Sequence, residues 1–325
     1  MLGDKRLFIV SGKGGTGKSS VAAALAIALA NQGKRVLLAE TENRQAIGTL
    51  FGRGNLGYQE KLLLRRESRG EVHGIAIDPA GALLDYLDMF YGLRSAGSIL
   101  ERIGAVSFIS NVAPGLRDIL LTGKACEAVR RKSGEGPGLR SALSSGSGSG
   151  SGWAYDAVVL DAPPTGRISR FLNVTAEVTG IVKVGPIKQQ AAWVSEVLHS
   201  NQTGILLVTT PEELPVQETL EAGRQLRNSG FELSGVIVNM APPAPLTEEE
   251  AELLASNSAR DALGVPTELA DELLSFARAE QAARGAQKNL VSPLDELKTP
   301  IVTLPRVGNS LDLLRATQLA EFLTP

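Results

Sequence analysis

Apolar and polar positions divide the chain into short continuous runs separated by helical stretches. RLFIVSG (6–12) is an apolar run ending in glycine, and KRVLLAE (34–40) is a second. EVHGIAID (71–78), YDAVVLDAPP (155–164), GILLVTT (204–210), LSGVIVNM (233–240) and PIVTLP (300–305) continue the series. Between the first two, residues 17–31 are rich in Ala and Leu, and Gly33 follows as a stop signal. Buried strands alternating with helices predict an α/β fold. Its sheet would have seven to eight mostly parallel strands, with helices on both faces.

Two segments break the alternation. Residues 79–132 read as all-helical, with Leu83, Leu84, Leu87, Phe90 and Tyr91 on one apolar stripe. Such a stripe is normally core, with a bound client the rival use. Residues 247–285 also read as helical, opened by a capping box of Thr247 and Glu250. Together they predict a helical subdomain on a single domain spanning 1–325. Within 141–152 the run SSGSGSGSG (144–152) has no surface to bury and reads as a flexible loop.

Composition narrows the class. Of 325 residues, 43% are hydrophobic and 21% charged, ordinary for a globular protein. A net charge of −2 provides no global field for nucleic acid or anionic lipid. The longest apolar run, VAAALAIALA, is too short to span a bilayer, and the N-terminus carries no secretory pattern, so a cytoplasmic location is expected. Cys126 is the single cysteine, and His73 and His199 lack metal-ligand spacing.

The chemistry concentrates in the loops. Gly12-Lys13-Gly14-Gly15-Thr16-Gly17-Lys18-Ser19 matches G-x-x-x-x-G-K-[ST] between a strand and a helix. That pattern marks a P-loop. Its glycines let backbone N–H groups face phosphate oxygens, its lysine reaches the β- and γ-phosphates, and its hydroxyl ligates Mg²⁺. Residues Gly12 to Ser20, Ser20 included, are therefore the candidate ATP cradle, with Lys18 its cation and Ser19 a metal ligand. Asp161, which ends the run VVLD, is the second candidate metal residue. Lys13 is surplus to the pattern.

With its extra lysine, GKGGTGKSS resembles the deviant P-loop of the MinD/ParA/nitrogenase-iron-protein class. YDAVVLDAPPTGRISRFL resembles, more narrowly, the signature of arsenite-pump and tail-anchored-protein-targeting ATPases. Asp161, Pro164, Thr165, Gly166 and Arg170 match it, while Arg167 stands where histidine is usual. GIAIDPAGALLDYL, NVAPGLRDIL, VTTPEELPVQETLE and VIVNM resemble that family in the same order, so the likeness covers nearly the whole chain. LDMFYGL, RIGAV and APGLRDILLTGK look closest to its actinobacterial members, commonly encoded as paired paralogues.

The resemblance implies a nucleotide-switched ATPase dimer, either a homodimer or a heterodimer with a paralogue. It implies that Lys13 crosses the interface to the partner's nucleotide. It places Glu42 of AETENRQ on the position of the water-orienting aspartate, with Glu40 as the rival. It also makes Asn239 the adenine contact, with the backbone near Pro305 and Arg306 on the base's other side. ATP and Mg²⁺ are the implied cofactors, and a hydrophobic protein segment is the implied client. The departures matter as well. One cysteine disfavours arsenite transport, and no C-x-x-C pair is present to clasp a dimer through zinc. A MinD/ParA-like positioning ATPase is the alternative, but the tail SLDLLRATQLAEFLTP carries one Arg, poor for an anionic membrane.

Overall fold

A computed structural model describes residues 2–42, 45–91, 114–134, 152–173, 186–242, 248–256, 261–262, 264, 266–308 and 312–323. Eight strands form one sheet: β1 (Leu7–Gly12), β2 (Arg35–Glu40), β3 (Lys61–Arg65), β4 (Glu71–Ala76), β5 (Ala157–Asp161), β6 (Thr203–Thr209), β7 (Leu233–Ala241) and β8 (Ile301–Pro305). Their spatial order is β3-β4-β2-β5-β1-β6-β7-β8, and every pair except β3–β4 is parallel. The expected mostly parallel sheet is therefore present. The strand it adds is β3, at the edge. Its Lys61 and Arg65 ends are charged and its pattern is mostly exposed, as an edge strand requires. β5 stops at Asp161 rather than 164, because Pro163 and Pro164 have no N–H to give a ladder.

The helices are α1 (Lys18–Asn31), α2 (Ala46–Leu50), α3 (Pro79–Tyr91), α4 (Pro114–Arg130), α5 (Thr165–Leu172), α6 (Pro186–Leu198), α7 (Glu213–Asn228), α8 (Glu248–Ala255), α9 (Thr267–Val291) and α10 (Leu313–Glu321). On one sheet face lie α1, α2 and α10. On the other, α3 to α7 and the 3₁₀ turn Ser292–Leu297 bury the second core. From Val21 to Ala30, α1 is buried on all sides. Its alanines allow close approach to the strands below and to Ala316, Leu319 and Ala320 of α10. A helix apolar all round belongs in such a sandwich. Gly33, with φ of 85°, turns the chain from α1 into β2.

Within 79–132 the described residues form α3 and α4, but the chain leaves the helix after Arg130, and Lys132 makes a β-bridge with Trp153. Ile119, Leu121, Cys126 and Val129 of α4 enter the main core directly. Leu83 is buried there too, whereas Leu84 is exposed. The side chains of Leu87, Phe90 and Tyr91 lie outside the described residues, as do Thr247 and the Gly/Ser run up to residue 151. In the second segment, α8 packs on α9. Among the described residues no helix is long and apolar enough to cross a membrane.

Candidate nucleotide-binding site

The loop between β1 and α1 leaves the carboxyl end of a central strand, where open parallel sheets bind ligands. Its glycines are required by geometry. A Cβ on Gly12 would fall 2.1 Å from the Val208 carbonyl oxygen of β6. Gly15 has φ of 89° and Gly17 of 84°, both left-handed. The Thr16 hydroxyl and N–H both donate to the Lys13 carbonyl, at 2.8 and 3.3 Å, curling the loop. Gly14 and Gly15 are exposed at the rim, Thr16 and Lys18 are buried, and Ser19 and Ser20 open α1. A Cβ on Gly17 would sit 2.4 Å from Asn239 Nδ2. Gly17→Ala is thus expected to weaken nucleotide binding at least about tenfold and to cost about 1–3 kcal/mol of stability. Titration with a fluorescent ATP analogue and a denaturant melt measure both; wild-type values in both would refute the fit.

Ser19 Oγ donates to Asp161 Oδ2 at 2.6 Å, joining the two candidate metal residues. Asp161 is buried, and its Oδ1 has no hydrogen-bond partner. Burial raises its pKa to about 6; the Ser19 bond and Lys18 oppose the shift, while Glu40 and Glu42 add to it. A buried, orphaned carboxylate oxygen beside a hydroxyl is a hard donor set that fits a divalent cation. The Thr41 hydroxyl donates to the Asp161 carbonyl at 2.8 Å and fixes the start of the following loop. Glu42 is half-buried there, next to Asn43 and Arg44, which lie outside the described residues. Glu40 is buried, with Oε1 accepting from Ala46 N–H at 3.4 Å.

On the other side of the loop, Asn239 Nδ2 donates to the Thr16 carbonyl at 2.9 Å. Next to Asn239, Met240 adopts φ of 60°. Pro305 pairs in register with Ala241, and Arg306 N–H donates to the Ala241 carbonyl at 2.7 Å. The three sequence-predicted base contacts thus meet at one end of β7 and β8. A cavity of about 390 Å³ opens there, lined by Met240, Arg306 and Glu212, and by Phe276, Glu280 and Gln287 of α9. The α9 residues escaped the sequence reading, because nothing local marks a helix as the wall of a distant loop.

Lys13 lies apart from Lys18. Its ammonium sits 2.8 Å from Glu218 Oε1 of α7, a quarter exposed. Thr165, in the loop motif after β5, approaches the other Glu218 oxygen at 3.4 Å. Glu218 was also missed: it is one acid among several on α7, and its role shows only when β1 and α7 are brought together.

The family model for the anion-transporting ATPases matches residues 5–198, from β1 through the loop and Asp161 to the end of α6. The chain belongs to that family. ATPase BagA of Mycobacterium tuberculosis is 44% identical over 328 residues, covering 98% of this chain and 92% of that one. ATPase GET3 of Kluyveromyces lactis is 25% identical and covers 72% of this chain and 71% of its own length. The arsenical pump-driving ATPase of Escherichia coli is 26% identical, over 79% of this chain and 45% of its own. As a member of this family the chain is an ATPase, with ATP as its nucleotide. Its Cys126 is wholly buried in the α4 layer, and burial pushes the thiol up to about 12. That makes it a poor thiolate ligand. Arg167, at the family's histidine position, lies 3.8 Å from Asp118 of α4.

Proposed function

We propose that this ATPase is a nucleotide-switched dimer in which each subunit completes the other's site. Lys18 serves the nucleotide held by its own loop, and Ser19 and Asp161 serve its Mg²⁺. Lys13 serves the nucleotide of the partner, which is a second copy or a paralogue. The observation that carries this reading is the Lys13–Glu218 pair. A cation parked on a neighbouring helix, part-exposed, is available to be handed across an interface; Lys18, buried beside Asp161, is not. When bound, Mg²⁺ neutralises charge on the phosphates. Glu42, half-buried at the loop after β2, orients the attacking water. Asn239, Arg306 and the backbone at Pro305 hold the adenine, with the cavity under α9 receiving it.

The client in this proposal is a hydrophobic protein segment. Leu269, Leu273 and Phe276 follow one another at i, i+4 and i+7 along α9 and are 48, 42 and 59% exposed. An exposed stripe of this spacing is a surface for an apolar partner. Phe276 also lines the cavity at the base end, so the stripe adjoins the proposed nucleotide site. Sedimentation with a non-hydrolysable ATP analogue tests the switch. The sedimentation coefficient is expected to rise from monomer to dimer on adding the analogue, alone or with a paralogue. An unchanged value under both conditions would remove the dimer.

A further inference from the structure

Glu40 and Asp161 end neighbouring strands and are partners in the β2–β5 register. Both project to the α1 face. Strand alternation puts Glu40 in line with Val36 and Leu38, and Asp161 in line with Val159, all packed in the α1 core. Both carboxylates are buried, Glu40 at 1% exposure and Asp161 at 7%. Asp161 Oδ2 takes the Ser19 hydroxyl, and its buried Oδ1 has no hydrogen-bond partner. Lys18 is the buried cation whose field reaches Asp161. Two buried carboxylates on one face repel unless a proton or a cation lies between them. Carboxylate and hydroxyl oxygens are the donors a hard divalent ion takes.

We infer that Glu40 is a second carboxylate of the cation site, and that Glu40, Asp161 and the Ser19 hydroxyl hold one divalent ion before nucleotide arrives. The inference rests on reading the Gly12–Ser19 loop as the nucleotide cradle. Its consequence is an order of assembly: the ion is resident and the triphosphate joins it. Glu40 is also tethered to Ala46 N–H at the start of α2. Occupancy of the ion site therefore acts on both ends of the 41–45 loop that carries Glu42.

Mn²⁺ alone, titrated into nucleotide-free protein and followed by the loss of its free-ion EPR signal, tests this. Wild type is expected to bind one Mn²⁺ per chain. Glu40→Gln and Asp161→Asn are each expected to weaken it about tenfold or more, and Glu40→Asp to keep most of it. Thermal unfolding checks the fold of each variant, and a fluorescent ATP analogue in EDTA checks the cradle. No Mn²⁺ bound by wild type without nucleotide overturns the inference. So does Glu40→Gln binding as tightly as wild type. If Glu40→Gln fails to fold, Glu40→Ala decides on the same criterion, since unchanged affinity without any carboxylate at 40, and none in Asp161→Asn, assigns the ion to Asp161 alone. ATP bound in EDTA by a protein that takes up no Mn²⁺ alone removes this inference and leaves the ATPase reading; a protein that binds Mn²⁺ but no ATP, with the ion or without it, loses the cradle reading and this inference with it.

Discussion

Lys13→Ala is expected to lower the rate of ATP hydrolysis by about 10³-fold while leaving ATP affinity close to that of wild type. A cation supplied in trans to a transferring phosphoryl group is worth about 10³–10⁵ in rate. It acts on charge that develops in the transition state, so its loss shows in kcat rather than in ground-state binding. Stability should hardly move, because the Lys13–Glu218 pair is part-exposed and such pairs contribute about 0–1 kcal/mol. Lys18→Ala behaves differently. Its ammonium is buried at its own cradle, so both affinity and rate should fall. Mixing the two inactive variants separates cis from trans action. The Lys13→Ala chain keeps a whole cradle, and the Lys18→Ala chain keeps Lys13, which the proposal sends across the interface. Hydrolysis should return in the mixture, far above either variant alone. If the mixture stays silent while analogue-induced association persists, Lys13 serves its own nucleotide.

Which parts of this site were legible before the fold was known follows from the range of the interactions. The P-loop is local: its glycines, lysine and serine lie within eight consecutive residues, so spacing alone identified them. Asp161 was legible because a charged residue ending an apolar strand run is conspicuous. Asn239, Pro305 and Arg306 came from the family likeness, and β7 and β8 bring them to one place because they are neighbours in the sheet. What stayed hidden depends on contacts between distant elements. Glu218 holds Lys13 only because α7 follows the strand that flanks β1. Phe276 and Glu280 reach the cavity beside Met240 and Arg306 only because α9 returns over β7 and β8. The same holds within the core. Arg131, just past the end of α4, binds Glu60 with its two terminal guanidinium nitrogens at 2.7 and 2.9 Å and Glu127 of α4 with two more bonds, and Tyr155 completes the cluster. In sequence these residues look like surface charges; buried together they tie α4 to the approach of β3. β3 itself was missed for a related reason: an edge strand has one neighbour, so its pattern carries little of the apolar continuity that marked the others.

Asp161→Asn should make the nucleotide-free protein more stable while abolishing hydrolysis, leaving less than about 1% of the rate. Burial raises the folded pKa of Asp161 from 3.8 to about 6. Between those values the folded state holds a proton that the unfolded state has released. Stability from this group is therefore greatest at low pH and falls as pH rises from about 4 through 6. Above that window the ionised carboxylate costs the empty fold about 3 kcal/mol, since a pKa unit corresponds to about 1.4 kcal/mol. Asparagine keeps an acceptor for Ser19 Oγ and removes the charge. Denaturant melts in EDTA at pH 7 should then show the variant more stable by about 2–3 kcal/mol. At pH 4, where wild-type Asp161 is protonated, the two proteins should converge. A variant less stable than wild type at pH 7 would mean that the Ser19 bond and Lys18 outweigh desolvation, and that the carboxylate is structural. The predicted sign has a functional meaning. Glu40 and Glu42 push the same pKa upward, so three acids converge where one lysine is the buried cation. A fold that carries such a repulsive cluster when empty is relieved by a cation, and at this place in the sheet the relief arrives beside the phosphates.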